Sequence, residues 1–89
     1  MILKRTKAFH RDEEKIKMSD KHFTRFINAL HHLSQKNSLP SEFKDHALIG
    51  EWSDFRECHL SGDLLLIYQV EQDTIKLVRI GSHSQLFKK

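Results

Sequence analysis

The spacing of apolar residues changes once, at Asn37-Ser38-Leu39-Pro40, and that change limits the fold more than any other feature of the chain. Before it, Phe23, Phe26, Ile27, Leu30 and Leu33 recur at i, i+3, i+4, i+7 and i+10, a spacing that collects them on one helix face. Ser19 or Asp20 stands where a short side-chain oxygen can accept from the first free amides of that helix. A shorter helix is expected around 7–17, with Phe9 and Ile16 seven apart on its inner side, and Ile2-Leu3 reads as a short opening strand. After the break the alternation is strand-like. Residues 52–60 are expected as a strand, Ser61-Gly62 as a tight turn, 64–70 as a central strand buried on both faces, and 74–80 as its neighbour after a turn at 71–73. Helices first and a three-strand meander afterwards make an α+β arrangement, with two N-terminal helices packed on one face of a small antiparallel sheet. The other face, or its rim, is left for function.

Size and composition narrow the classes further. A chain of 89 residues is expected to form one domain over 1–89, because either half alone is too small to bury a core. The single cysteine, Cys58, excludes an internal disulfide and agrees with a reducing cytosol. The longest apolar run, 64–68, falls far short of the roughly 20 residues of a membrane helix, and no signal-peptide core follows the N-terminus. A soluble cytoplasmic protein with no membrane contact is expected. Net charge is +3, unevenly divided: residues 1–36 hold nine Lys/Arg against four Asp/Glu, and residues 37–89 hold six against eight. The basic half, with Lys15, Lys17, Lys21 and Arg25, is the expected surface for a polyanion such as ribosomal RNA. The second half is no simple phosphate platform.

That second half instead gathers reactive side chains. Alternation along 52–60 puts Phe55, Glu57 and His59 on one face; Asp63 follows the hairpin turn and is expected near His59; Arg79 lies late in the last strand and His83 just beyond it. Asp45-His46 precedes them, and Phe87 follows. Histidines, carboxylates and an arginine at one end of a sheet suit phosphodiester cleavage. Attack by a ribose 2′-hydroxyl needs a base to take its proton and an acid to protonate the departing 5′-oxygen, and imidazole serves either role near neutral pH. Arginine can hold charge on the phosphate oxygens, and an aromatic ring can stack a base. Each residue has a plainer reading: a hydrogen-bonded structural histidine, a surface carboxylate, a surface ion pair for Arg79, or C-terminal packing for Phe87. His10, His22, His31 and His32 read as surface residues of the helical half. A resident metal is not expected, since no Cys-x-x-Cys or His-Glu-x-x-His spacing occurs. Cys58 should face away from His59 and is not expected to act as a nucleophile.

Three blocks in order, Phe43-Lys44-Asp45-His46-Ala47-Leu48-Ile49-Gly50-Glu51-Trp52, then Phe55–His59 with Asp63–Tyr68, then Arg79–Phe87, resemble the signature of the YafQ family of the RelE/ParE toxin superfamily. The resemblance implies a RelE-like fold and a ribosome-dependent endoribonuclease that cuts messenger RNA and is neutralised by a cognate antitoxin. It implies catalytic positions at His46, His59, Asp63 and His83, with Glu57, Arg79 and Phe87 supporting them and no cofactor. In the roles it implies, His83 is the general acid, His46 or Asp63 the proton acceptor or its orienter, Arg79 the phosphate ligand and Phe87 the stacking ring. A toxin of the same superfamily that acts on DNA gyrase is the nearest alternative, and a non-catalytic RNA- or protein-binding module on the same scaffold is another.

Overall fold

The structure is a computed structural model and describes residues 1–87. Its elements are strand β1 (Ile2–Arg5), helices α1 (Lys7–Lys15) and α2 (Asp20–Ser34), strands β2 (His46–Ala47), β3 (Arg56–Ser61), β4 (Leu64–Glu71) and β5 (Thr74–Gly81), and the short helix α3 (His83–Leu86). One sheet runs in the order β1-β5-β4-β3-β2. Strands β2 to β5 are mutually antiparallel, and β1 joins the edge parallel to β5. The helical half, the break and the meander lie where the spacing predicts them. Two departures matter. Residues 50–52 form a 3-10 turn, so β3 begins at Arg56, and His46 sits in a two-residue strand not foreseen from the alternation.

Local chemistry accounts for the helix ends. The Ser19 hydroxyl accepts from the His22 amide at 3.1 Å and starts α2. Thr6 accepts from the Phe9 amide at 3.0 Å and donates its own proton to the Val78 carbonyl at 2.8 Å, so one hydroxyl both caps α1 and fastens it to β5. The core lies between the helices and one sheet face, built from Phe9, Phe26, Ala29, Leu33, Cys58, Leu60, Leu66, Tyr68, Ile75, Leu77 and Ile80. On α2 the buried stripe is narrower than expected: Ala29 replaces Phe23 and Ile27, which are 53% and 46% exposed. The helix is tilted so that only its Phe26–Ala29–Leu33 line meets the sheet.

Register decides which residues share the opposite face. Residues directly opposite one another in a ladder project to the same side. His46 pairs with Glu57, Glu57 with Ile67, and Ile67 with Arg79, forming one row across four strands. His59, Leu65 and Gly81 form the next row. Leu65 and Ile67 are 1% exposed although Leu66 and Tyr68 beside them serve the helix side, so β4 is buried on both faces as expected. A bulge at Val78 lets Leu77 stay in the helix-side core while Arg79 turns to the other face.

Candidate functional site

Glu57 stands at the centre of the face opposite the helices. It is 3% exposed, and its Oε1 lies 3.4 Å from His46 Nε2 and 3.7 Å from His59 Nε2. The two imidazole centroids are 6.4 Å apart. Glu57 Oε2 is buried without a hydrogen-bond partner, the one such side-chain atom among the described residues. A buried polar atom with no partner costs about 1–3 kcal/mol, so the site carries an unfilled acceptor beside two half-open histidines.

The sheet brings His83 to the same face. A Cβ built on Gly81 would lie 2.9 Å from Gln85 Oε1 and 3.2 Å from Leu86 Cδ2. That Cβ would project with the side chain of His59, two strands away, so α3 folds over the site face and Gly81 leaves room for it. Ser82 starts α3 with a capping box: its hydroxyl accepts from the Gln85 amide, and its own amide donates to Gln85 Oε1 at 2.8 Å. His83 is exposed, and its ring stacks on Phe87 at 5.1 Å between centroids. Two strand spacings put the β3 and β5 backbones about 10 Å apart, a gap that side chains and one phosphate can bridge.

The remaining expected residues lie elsewhere. Asp63 stands exposed in the β3–β4 turn, and Leu65, not Asp63, is opposite His59. Arg79 lies on the site face, but its guanidinium is taken by Asp12 of α1, with Nε to Oδ2 at 2.7 Å and Nη2 to Oδ1 at 3.0 Å. Asp12 Oδ2 also accepts from the Ile80 amide at 3.0 Å, at the part of β5 that β1 does not reach. These bonds raise the Arg79 pKa further above its ordinary value, the side-chain hydrogen bond being the main cause. Asp12 was legible: with Phe9 and Ile16 it occupies the inner line of α1, an odd place for an unpaired acid.

Two further groups escaped the sequence reading. Asp45, apparently a surface residue, accepts from the Tyr68 hydroxyl and from Arg56 Nε and Nη2 at 3.2 and 3.0 Å. The Asp45 hydrogen bond is the main reason the Arg56 pKa is raised. Arg25 donates to the Leu60 carbonyl and lies over the Phe43 ring at 4.6 Å. Cys58 faces the core as alternation predicts, and burial pushes its thiol up to about 12, which leaves it without a nucleophilic thiolate near neutral pH. Among the described residues no three His, Cys, Asp or Glu side chains are arranged to hold a metal ion, and no helix is long and apolar enough to cross a membrane.

The chain and its fold resemble known proteins. A family model described as the bacterial toxin of type II toxin-antitoxin systems, YafQ, matches residues 1–88. The chain belongs to the YafQ toxin family. A YafQ toxin of Haemophilus influenzae is 46% identical over 66 residues, covering 70% of this chain and 65% of that one. The mRNA interferase toxin YafQ of Escherichia coli K12 is 39% identical over 49 residues, covering 55% and 53%. The chain thus aligns with under two thirds of the length of these curated relatives. Among solved structures, a copper-bound mutant toxin of Helicobacter pylori superposes with a TM-score of 0.88 at 38% identity, covering 97% of this chain and 98% of that one. YafQ from the E. coli DinJ-YafQ complex gives 0.81 at 26% identity, with 96% of each chain covered. The RelE-like α+β fold follows from these superpositions.

Proposed function

We propose that this YafQ-family chain is the toxin of a type II toxin–antitoxin pair and an endoribonuclease that cuts messenger RNA on the ribosome in the cytoplasm. The observation that carries this reading is the buried Glu57 carboxylate, whose Oε1 lies 3.4 Å from His46 Nε2 and 3.7 Å from His59 Nε2. The interferase name of the E. coli relative and the DinJ-YafQ complex support the substrate and an antitoxin partner.

The residues divide the reaction as follows. His46, exposed and 3.4 Å from the buried Glu57 carboxylate, accepts the proton of a ribose 2′-hydroxyl, with Glu57 behind it. The 2′-oxygen bonds to phosphorus as the bond from phosphorus to the 5′-oxygen breaks. His83 gives its proton to that leaving oxygen, so the products are a 2′,3′-cyclic phosphate and a 5′-hydroxyl. His46 takes the acceptor role rather than Asp63, which stands in the open turn away from Glu57. Arg79 contacts phosphate with the guanidinium edge that Asp12 leaves free, and Phe87 stacks a base next to His83. His46 and His83 are exposed, as a site for a long polymer requires. The exposed Lys15, Lys17 and Lys21 supply the ribosome-facing charge; Arg25, engaged by Leu60 and Glu42, does not join them.

The test is to induce the wild-type chain and His83→Ala separately in a bacterium and map messenger 5′ ends by primer extension. New in-frame ends with the wild type and none with the variant are expected. Growth arrest without new ends would move the function to gyrase inhibition or binding alone.

A further inference from the structure

We infer that Asp45, gripped by Tyr68 and Arg56, is a positioning residue that sets the ring of His46. Its catalytic consequence rests on the cleavage reading above, but its geometry does not.

His46 needs an anchor that its own strand cannot supply. Strand β2 is two residues long at the sheet edge, paired with β3 at His46–Glu57 and Ala47–Arg56, with one more backbone bond just beyond, from the Leu48 amide to the Phe55 carbonyl at 3.0 Å. A ladder this short frays readily. The preceding residue provides the anchor. Asp45 accepts from the Tyr68 hydroxyl, whose ring is 1% exposed and fixed in the core, and from two nitrogens of Arg56. Charge-assisted bonds of this kind are about twice as strong as neutral ones. Asp45 and His46 are consecutive, so a carboxylate drawn toward the helix side leaves the imidazole on the site face.

The turn before Asp45 completes the grip. Lys44 adopts a left-handed backbone (φ 50°, ψ 42°), uncommon for a residue with a Cβ and held only where the surroundings enforce it. Its carbonyl lies 2.8 Å from His46 Nδ1. A carbonyl can only accept, so Nδ1 donates to it, and Nε2 faces Glu57 Oε1 at 3.4 Å, where a proton shared between ring and carboxyl joins the two. Asp45 thus holds the turn, the turn's carbonyl selects the ring nitrogen, and the ring meets Glu57 in one orientation. Without Asp45's partners the turn relaxes and both ring nitrogens exchange roles.

The test uses Tyr68→Phe, which removes only the hydroxyl, and Arg56→Met at a partly exposed position where misfolding is no concern. Each protein is made by cell-free synthesis with nitrogen-labelled histidine. Ring-nitrogen NMR reports the His46 tautomer, and first-order cleavage of a ribosome-bound messenger reports the chemistry. In both variants we expect His46 Nδ1 to change from a fixed donor to a site that averages between donor and acceptor. The cleavage rate should fall about 10- to 100-fold in Tyr68→Phe, with half-saturation altered less than about twofold, as misplacement of a catalytic group predicts. Unchanged His46 ring signals in both variants would overturn the inference whatever the rates. Changed signals with a wild-type rate would overturn the positioning role. A wild-type protein that leaves the messenger uncut would instead refute the cleavage reading, and the ring signals would still decide the grip.

Discussion

Asp12 and Glu57 are the two buried acids of the described residues, at 8% and 3% exposure, and they are treated in opposite ways. Asp12, between α1 and β5, receives two bonds from Arg79 and one from the Ile80 amide, so both oxygens are satisfied. Glu57, between β2 and β4, has one oxygen shared by two histidines and the other with no partner. The first closes a structural seam where β1 stops short of the end of β5. The second holds an acceptor in reserve at the cost of stability, as active sites commonly do. Asp12 is a buried acid whose bonds are complete and Glu57 is one whose bonds are not, a difference that makes Glu57 the candidate for chemistry.

The contrast can be broken most directly at Glu57. Glu57→Met keeps the volume and removes the carboxylate. Messenger cleavage should fall about 10²- to 10⁴-fold, the usual size of a general acid–base contribution. Thermal unfolding should show a protein as stable as the wild type or more so by about 1–3 kcal/mol, because the unpaired oxygen is gone. A severely destabilised variant would make Glu57 structural and erase the distinction from Asp12.

Asp12→Ala should do the reverse. It strands the Arg79 guanidinium and the Ile80 amide, with an expected loss of about 2–3 kcal/mol, toward the lower end for broken buried pairs because Arg79 stays partly solvated. In a domain of this size that lowers Tm by about 10–20 °C, measurable by calorimetry. Cleavage at low temperature should suffer far less than in Glu57→Met. Equal loss of activity would mean that Asp12 serves the site by holding Arg79 in place.

The last effect, absent near neutral pH, separates the two faces of β3. Cys58, next to Glu57 but turned into the core, has a thiol pushed up to about 12 by burial. Its folded pKa lies above the value of about 8.5 in an unfolded chain, so its contribution is complete below that pH and declines as pH rises toward 12. Denaturant titrations should show the wild type losing stability relative to Cys58→Ala by up to about 1.4 kcal/mol per pH unit across that window, with no difference at pH 7 to 8 in the slope. Tyr68 is raised too, chiefly by burial and then by Asp45, causes common to both proteins, with a lesser part from Cys58 that only the wild type has. Identical pH profiles would show that the thiol is solvated.

The sequence alone determined the order of the two long helices and of β1, β3, β4 and β5, the break at 37–40, the doubly buried β4 and the side of β3 on which Glu57 and His59 stand. These follow from the periods of 3.6 and 2, which are local properties of the chain. The family blocks also named the candidate site residues. Tertiary structure alone decided their company. A bulge at Val78 turned Arg79 away from Leu77, and a bulge leaves no mark in alternation. Asp12 reached Arg79 across 67 positions, and Asp45 reached Tyr68 across 23. Such pairings depend on which strand lies beside which and in what register, and that is settled only when the sheet closes over its core.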